Sequence, residues 1–241
     1  MGTIAELLQQ TTHRPWELPT TGWSYYQEWN NALFFHWEVP LELLQSLVPS
    51  NLEVDLYEGK AYISLVPFTM QKIRPKYLPS LAFVSDFHEI NLRTYVTYEG
   101  KPGVFFISIE AEKSLSAFLS RMLSGLPYKK STMVRTPKGY TSQNKLQDFR
   151  FSAEYEIQEV IVVKTGLDRF LTERYSLYLE RNGKLYRYQI HHKEWELRNV
   201  RMDKFDSKYI INALNLEGKV PDLMHYSEGV QVIAWDREVL S

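Results

Sequence analysis

Two pairs of oppositely charged residues could form a polar site. Glu89 and Arg93 stand four positions apart in Phe87-His-Glu-Ile-Asn-Leu-Arg-Thr-Tyr-Val96, whose residue types favour a strand. Side chains alternate between the faces of a strand, so these two lie on one face. They form either a structural ion pair or a site in which the arginine holds a carboxylate through two parallel hydrogen bonds. For Glu173 and Arg174, which follow a short predicted helix, a surface ion pair is favoured over a pocket mouth.

The six histidines of the sequence do not have the spacing of a metal site. His191 and His192 are adjacent, so on a strand they point to opposite faces and cannot easily share an ion. His36 lies in an apolar run, where a buried, hydrogen-bonded histidine is the commoner outcome. The sequence contains no His-Glu-x-x-His motif, no cysteine, no phosphate-binding loop and no dinucleotide fingerprint. We therefore expect neither a metal nor a cofactor.

The composition is that of an ordinary globular protein. The 241 residues are 44% hydrophobic and 24% charged, with a net charge of −1. This length fits one large β-rich domain, and we find no linker, so we predict a single domain over residues 1–241. The charge balance argues against a nucleic-acid partner, and no apolar stretch is long enough for a membrane helix. Because the N-terminus does not have the features of a signal peptide, we expect a cytoplasmic protein.

Short apolar segments separated by turn residues predict mostly strands. Arg181-Asn182-Gly183 is the strongest hairpin signal, and hairpins are also predicted around Glu58-Gly59-Lys60 and across Glu99-Gly-Lys-Pro-Gly103. The predicted helices are short and cover residues 4–10, 41–48, 112–124 and 167–173. Many strands with few helices indicate a mainly β (α+β) fold, built as a closed or nearly closed antiparallel β-barrel.

A series of motifs recurs in the order found in one known family. They are Leu33-Phe-Phe-His-Trp37, the segment 40–53 that begins Pro-Leu-Glu-Leu-Leu, Gly59-Lys-Ala-Tyr-Ile-Ser-Leu-Val-Pro-Phe68, Phe87 to Val96, Gly103-Val-Phe-Phe-Ile-Ser-Ile109, Gly125-Leu-Pro-Tyr128, Leu171-Thr-Glu-Arg-Tyr175, and His191-His192 followed by Trp195. Together they resemble the YqjF-like family, a branch of unknown function within the acetoacetate decarboxylase-like superfamily. The resemblance covers most of the chain and implies an acetoacetate decarboxylase-like fold.

The likeness to the decarboxylases themselves is more remote, and it fails at their nucleophile. In those enzymes a helix ends in Gly-x-Pro-Lys-Lys, and the first lysine, whose pKa is lowered by desolvation and a neighbouring cation, forms a Schiff base with the keto acid. This chain has Gly125-Leu-Pro-Tyr-Lys-Lys130, so without a gap Tyr128 takes the place of the nucleophile and Lys129 that of the cation. A phenol cannot form an imine. A shift of one residue would restore two lysines but would turn each side chain to the opposite face of a strand.

The resemblance therefore implies a pocket with different polar groups. Glu89 falls where the decarboxylases carry an active-site glutamate, and we predict Glu89 and Tyr128 as catalytic residues for proton transfer. Lys129 and Arg93 are predicted to bind a carboxylate of the substrate. Each of these residues also has a structural alternative, such as an ion pair for Arg93 or an ordinary core position for Tyr128.

Three functions stay open at this point. The chain could be an enzyme acting on a small carbonyl or carboxylate compound, a non-catalytic binder of a small apolar or aromatic ligand, or a structural protein that has lost the pocket. Polar groups that converge in an otherwise apolar pocket would favour the enzyme, an aromatic cavity the binder, and a filled interior the structural protein. Related enzymes form oligomers, so a homo-oligomer is possible by analogy.

Overall fold

The computed structural model describes residues 3–112 and 128–240, and most of them lie in β-strands. The helices found there are short: α1 Ile4–Gln9, α2 Leu41–Gln45, α3 Ala82–Ser85 and α4 Gly166–Thr172. Thr3 caps α1 and Thr165 caps α4, each in a capping box with an acidic residue three positions on. The mainly β fold class predicted from the sequence is confirmed. The helix predicted over residues 112–124 falls outside the described residues except for Glu112.

The strands are long in the central part of the sheet and short at its margins. They are β1 Tyr25–Val39, β2 Glu53–Val54, β3 Ala61–Pro75, β4 Phe87–Tyr98, β5 Lys101–Ala111, β6 Tyr128–Lys130, β7 Thr132–Thr136, β8 Gly139–Asn144, β9 Phe149–Val160, β10 Ser176–Arg181, β11 Lys184–His192, β12 Arg198–Lys208, β13 Ile210–Ile211, β14 Leu214–Asn215, β15 Leu223–Ala234 and β16 Glu238–Val239.

Within the described ranges, the main sheet closes on itself. The ring runs β11-β10-β5-β4-β3-β1-β15 and closes because β15 pairs with both β1 and β11. Neighbouring strands of the ring are antiparallel except β5 and β10, which are parallel. The predicted closure is therefore present, although the ring is not wholly antiparallel. Outside the ring, β12, β9, β8 and β7 continue the sheet from β15.

Both faces of the central strands are buried. Phe34 and Phe35 are adjacent on β1 and fully buried. Phe34 packs with Phe68 and Trp195 inside the ring, whereas Phe35 belongs to a second hydrophobic core on the other face, together with Phe151. This arrangement explains why the sequence of β1 reads as a continuous apolar run instead of an alternating one.

A bulge in β1 changes which residues face the interior of the ring. Asn31 has a φ of 52°, and the pairing with β3 shifts its register in this part of the strand. As a result Trp29 and Ala32, three positions apart, both line the interior. The partner of Asn30 on β15 is Gly229, with a φ of 134°. A Cβ atom at Gly229 would lie 2.4 Å from the carbonyl oxygen of Trp29, so the bulge requires glycine there.

Two of the predicted hairpins are confirmed, and one is wrong. β4 pairs with β5 and β10 with β11, each across the predicted turn. The segment before Glu58 was predicted to pair with the segment after Lys60, but β2 instead pairs with β4. The turn itself makes only the short bridge between Tyr57 and Lys60. No helix within the described residues is both long and apolar enough to cross a membrane.

Candidate functional site

A cavity inside the ring combines a largely aromatic and aliphatic wall with a few polar side chains. Its volume is about 50 Å³, measured as the space open to the centre of a water molecule. The polar side chains of its lining are Gln27, Glu89, Asn91, Arg93, Tyr128, Thr172, Arg174 and His192. The apolar lining is Trp29, Ala32, Phe34, Val66, Phe68, Met70, Val104, Phe106, Ile109, Leu177, Ile190 and Trp195. The interior is therefore neither filled nor wholly aromatic.

The strand β4 supplies three of the polar groups because its pleat turns every second residue inward. Glu89, Asn91 and Arg93 alternate with Ile90 and Leu92, which pack in the core on the other face. Four residues of extended strand separate the backbones of Glu89 and Arg93 by about 13 Å. The carboxyl group and the guanidinium therefore originate at different positions along the cavity.

Glu89 is the central ionisable group of the cavity. It is 3% exposed, and the phenol oxygen of Tyr128 donates a hydrogen bond to its Oε2 atom at 2.9 Å. Burial raises the pKa of Glu89 to about 8, while hydrogen bonds from Tyr128 and Asn91 offset part of that rise. At neutral pH the carboxyl group is therefore mostly protonated and can donate a proton.

Tyr128 reaches the cavity because β6 pairs in parallel with β5, placing Tyr128 beside Ile109. Burial, together with the charge of Glu89, raises the pKa of Tyr128 well above its usual range, so the phenol stays neutral. Lys129 follows Tyr128 on β6 and turns to the opposite face. Its Nζ atom donates to Gln147 at 2.7 Å, and it does not line the cavity. The structure thus brings Tyr128 to Glu89 but leaves Lys129 outside this site.

The cavity is lined by no lysine from residues 3–112 or 128–240. Lys130, next after Lys129, is exposed. After a one-residue shift in register, Lys129 or Lys130 would have to supply the Schiff-base amine. Both residues lie outside the cavity lining. The segment 125–127, which precedes Tyr128 in the decarboxylase-like motif, lies outside the described residues.

Arg93 is a buried cation without a carboxylate partner among the described residues. It is 7% exposed; its Nη2 atom donates to the carbonyl oxygen of Leu171 at 3.3 Å, and its Nε atom has no hydrogen-bond partner. Burial lowers the pKa of Arg93, and its interaction with Tyr95 opposes that effect. Among the described residues Glu89 accepts from Tyr128 and Arg93 donates to the Leu171 carbonyl, and no ion pair joins Glu89 to Arg93.

Arg174 is a second buried arginine of the cavity, where the sequence favoured a surface ion pair. It follows α4 and is 6% exposed; its guanidinium stacks on Phe170 at 4.1 Å and on Tyr95 at 5.0 Å. Its Nη1 atom pairs with Asp55, and its Nη2 atom has no partner. The position of Arg174 depends on Asp55, which is 119 residues away in the sequence. The sequence signals for this residue are its position after a predicted helix and the motif Leu171-Thr-Glu-Arg-Tyr175.

The histidines occupy separate environments. His192 lines the cavity, whereas the adjacent His191 lies 3.0 Å from the carbonyl oxygen of Leu7 on the other side of β11. Over the parts of the chain that the structure describes, no group of three or more histidine, aspartate or glutamate side chains is placed to hold a metal ion.

Comparison with known proteins identifies the family. Residues 26–231 match the model of DUF2071, whose description is an uncharacterized conserved protein. The chain belongs to this family. The uncharacterized protein YqjF of Bacillus subtilis (strain 168) is 38% identical, over 90% of this chain and 93% of the relative. The resemblance to the YqjF-like family inferred from the motifs is thus confirmed.

Solved structures show where the fold of this family belongs. Acetoacetate decarboxylase from Legionella pneumophila subsp. pneumophila str. Philadelphia 1 is 14% identical with a TM-score of 0.58, covering 100% of this chain and 96% of that one. An acetoacetate decarboxylase-like enzyme from Sphingomonas wittichii RW1 is 13% identical with a TM-score of 0.57, covering 92% and 94%. The enduracididine biosynthesis enzyme MppR in complex with pyruvate is 10% identical with a TM-score of 0.56, covering 94% and 93%. These likenesses confirm the acetoacetate decarboxylase-like fold, and at such identities they show the fold alone.

Proposed function

We propose that the chain is an enzyme that binds a small carboxylate compound in this cavity and transfers a proton at its carbonyl group without a Schiff base. One observation carries the proposal. A carboxyl group whose raised pKa favours its protonated form, Glu89, and two arginines with unpartnered N–H groups, Arg93 and Arg174, line one cavity whose wall is largely apolar. Unpartnered buried N–H groups and a strongly shifted carboxyl pKa are costly to maintain and are typical of functional sites.

The arginines are suited to holding the carboxylate. A buried guanidinium without a counter-ion is unfavourable, and an anion that accepts from Arg93 Nε and Arg174 Nη2 would satisfy both donors. Asp55 neutralises only part of this positive charge, because it pairs with Arg174 and not with Arg93. Lys129 is not part of the proposed site, since its amine donates a hydrogen bond to Gln147 on the other face of β6.

Glu89 and Tyr128 are suited to the chemical step. Below a pH of about 8 the Glu89 carboxyl can give its proton to a carbonyl oxygen while a C–H bond of the adjacent carbon breaks; the electron pair of that bond forms the enol, and its proton passes to water. In the deprotonated form, Glu89 can take up a proton from that carbon instead. Tyr128 stays neutral and donates to Glu89, which fixes the carboxyl group and steadies its anionic form.

The size of the cavity limits the ligand. A volume of about 50 Å³ holds a few water molecules, since each requires roughly 10–15 Å³ by this measure. A benzene-sized ligand occupies a cavity of about 150 Å³ in an engineered protein. The cavity therefore fits a short aliphatic oxo acid better than an aromatic compound.

The second candidate function is binding without catalysis, and the aromatic wall is the observation that favours it. The rings of Trp29 and Trp195 stack with their centroids 6.2 Å apart and their planes at 21°, and Phe34 meets Trp195 edge-on with a centroid distance of 5.1 Å. These rings form an apolar surface that would hold the carbon chain of a ligand in either case.

Deuterium exchange tests the two candidates together. Pyruvate, 2-oxobutyrate and acetoacetate are incubated with the protein in D₂O, and loss of the protons next to the carbonyl group is followed by proton NMR. For an enzyme we expect exchange at least tenfold above the uncatalysed rate for one compound, lost in Glu89→Gln and Arg93→Met but kept in Lys129→Met. Binding without enhanced exchange would favour the binder, and neither binding nor exchange would contradict both.

Borohydride reduction of the same mixtures tests the absence of a Schiff base. Intact-protein mass spectrometry should show no adduct on any lysine. An adduct that maps to Lys129 or Lys130 would restore a lysine-based mechanism and contradict the assignment of Tyr128.

We also propose that the chain acts as one domain, because β1 near the N-terminus pairs along its length with β15 near the C-terminus. A cytoplasmic location and a homo-oligomeric state remain predictions. Size-exclusion chromatography with light scattering measures the latter directly.

A further inference from the structure

A chain of polar side chains, each within hydrogen-bonding distance of the next, crosses the interior next to the two cavity arginines. In order, its members are Asp168, His225, His36, Ser64, Tyr95 and the backbone carbonyl of Leu171. We call this set the histidine chain. Each of its five side chains is at most 6% exposed, and they come from different elements: α4, β15, β1, β3 and β4. The proposed carbonyl chemistry does not use them, and none of the five lines the cavity.

Four of the five links in the histidine chain have ordinary hydrogen-bond lengths. Asp168 Oδ1 lies 3.0 Å from His225 Nε2, and His36 Nδ1 lies 2.6 Å from Ser64 Oγ. Ser64 Oγ lies 2.6 Å from the Tyr95 phenol oxygen, which donates to the Leu171 carbonyl oxygen at 2.9 Å. The remaining link, between His225 Nδ1 and His36 Nε2, is the longest at 3.4 Å.

The number of protons does not match the number of links. The chain ends at Asp168 and at the Leu171 carbonyl, and both a carboxylate and a carbonyl oxygen can only accept. The five links between them need five protons. Two neutral histidines, one serine and one tyrosine supply one proton each, which makes four. With neutral histidines, one link must therefore lack a proton.

The geometry indicates which link lacks the proton. Tyr95 donates to the Leu171 carbonyl, so Ser64 must donate to Tyr95, and His36 Nδ1 must donate to Ser64. From the other end, His225 Nε2 donates to the Asp168 carboxylate. The lone pairs of His36 Nε2 and His225 Nδ1 then face each other across the longest link. One added proton would turn this contact into a hydrogen bond.

The inner end of the histidine chain touches the anion-binding groups of the cavity. Arg93 donates to the same Leu171 carbonyl oxygen as Tyr95 and also interacts with Tyr95, while Arg174 stacks on the Tyr95 ring. The positive charge of Arg93 contributes to the lowered pKa of His36, after burial and the charge of His225. An anion bound between the arginines would offset that charge.

We propose that the contact between His36 and His225 is a one-proton binding site that fills when an anion binds at Arg93 and Arg174. The inference rests on the proposed function, since it needs an anion in the cavity. Anion binding and proton binding favour one another, because each reduces the electrostatic cost of the other. A ligand carboxylate therefore enters the interior with a proton, which limits the net charge that is buried.

The charges around the two histidines agree with an empty proton site in the ligand-free protein. Burial lowers the pKa of His36 well below its usual range, and the charges of His225 and Arg93 add to this effect. Burial also lowers the pKa of His225, while Asp168 opposes it. Asp168 faces the pair from α4 and Arg93 and Tyr95 face it from β4. Arg174 and its partner Asp55 lie beyond Tyr95, and the charge of Asp168 also acts on Tyr57.

Calorimetry in two buffers of different ionisation enthalpy tests the coupling. Pyruvate and acetate are titrated into the protein at pH 6, where Glu89, with a pKa of about 8, is already protonated. The dependence of the heat on the buffer gives the number of protons taken up. We expect net uptake with the wild-type protein and with His13→Gln, a histidine outside the chain, but close to none with His225→Gln or His36→Gln.

Nitrogen-15 NMR of the wild-type protein provides a second measurement that needs no variant. Without ligand at pH 7.5, His36 should carry its proton on Nδ1 and His225 on Nε2. With saturating pyruvate at pH 6, the nitrogen-15 chemical shifts of His36 and His225 should change to those expected when the pair shares one additional proton. A ligand-free spectrum in which His36 Nε2 carries the proton would overturn the inference.

The outcomes separate this inference from the proposed function. If the anion binds without proton uptake, or if His225→Gln and His36→Gln take up as many protons as the wild-type protein, the proton site is overturned and the proposed function still stands. A failure of both anions to bind would contradict the proposed function and the coupling together.

Discussion

Replacing Glu89 by glutamine should change how the stability of the protein depends on pH. Glutamine has nearly the shape of glutamate, keeps an oxygen that accepts from Tyr128, and carries no charge at any pH. The pKa of Glu89 is raised from 4.5 to about 8 by burial. The folded wild-type protein therefore holds a proton on this residue over a pH range in which the unfolded chain has lost it.

The sign follows from the number of bound protons. Below pH 4.5 both states are protonated, and the raised pKa makes its full favourable contribution. As the pH rises from 4.5 to 8, the wild-type free energy of unfolding falls by up to about 1.4 kcal/mol per pH unit because of this residue. The total loss approaches about 5 kcal/mol, and above pH 8 it grows no further. In Glu89→Gln the free energy of unfolding does not fall in this way, because glutamine has no proton to lose.

Denaturant unfolding at intervals from pH 5 to 9 measures the effect. The free energy of unfolding of Glu89→Gln minus that of the wild type should rise with pH and level off near pH 8. Other groups with shifted pKa, such as Glu110, contribute equally to both proteins and cancel. Glu180→Gln, at an exposed position on β10, is the matched control and should give a nearly flat difference. A flat difference for Glu89→Gln would refute the buried, protonated carboxyl group and with it the proposed acid.

Three further substitutions test separate parts of the structure. Tyr128→Phe removes a hydrogen bond that favours the charged form of Glu89, so carbon-13 NMR should show a further rise in the Glu89 pKa; a fall would contradict the contact. Lys129→Met should leave anion binding unchanged by calorimetry and cost about 1–2 kcal/mol in the free energy of unfolding, because it loses the hydrogen bond to Gln147 and the cation–π contact with Phe149. Gly229→Ala should destabilise by more than about 2 kcal/mol in denaturant unfolding, since its Cβ would meet a backbone oxygen at 2.4 Å; an unchanged midpoint would show that the bulge can relax.

Local patterns were sufficient for much of the fold. The hairpins at Arg181-Asn182-Gly183 and across residues 99–103 followed from turn residues between apolar segments, because turn conformation and strand alternation depend on neighbouring residues. The same reasoning failed at Glu58-Gly59-Lys60. There the turn forms, but the short segment before it finds its partner on β4, and the choice between two possible edges is a tertiary one.

The parallel contacts of the sheet could not be read from the sequence. β5 pairs in parallel with both β6 and β10, and nothing in the hairpin pattern specifies such a neighbour. These two pairings bring Tyr128 and Leu177 to the cavity wall.

Within the site, the sequence by itself determined the shared face of Glu89 and Arg93, because strand alternation has a fixed period. The alternation on β6 separates Tyr128 from Lys129 in the same way, although the sequence did not show which of them faces inward. The family motifs further indicated the loss of the decarboxylase lysine.

The tertiary structure alone decided what these residues encounter. Among the described residues, Arg93 has no carboxylate next to it, and Arg174 is buried against Asp55. His36, His225 and Asp168 come from three distant segments and meet only in the folded chain. Burial and the supply of partners depend on the closure of the whole ring, and they set the pKa values that determine the chemistry of the cavity.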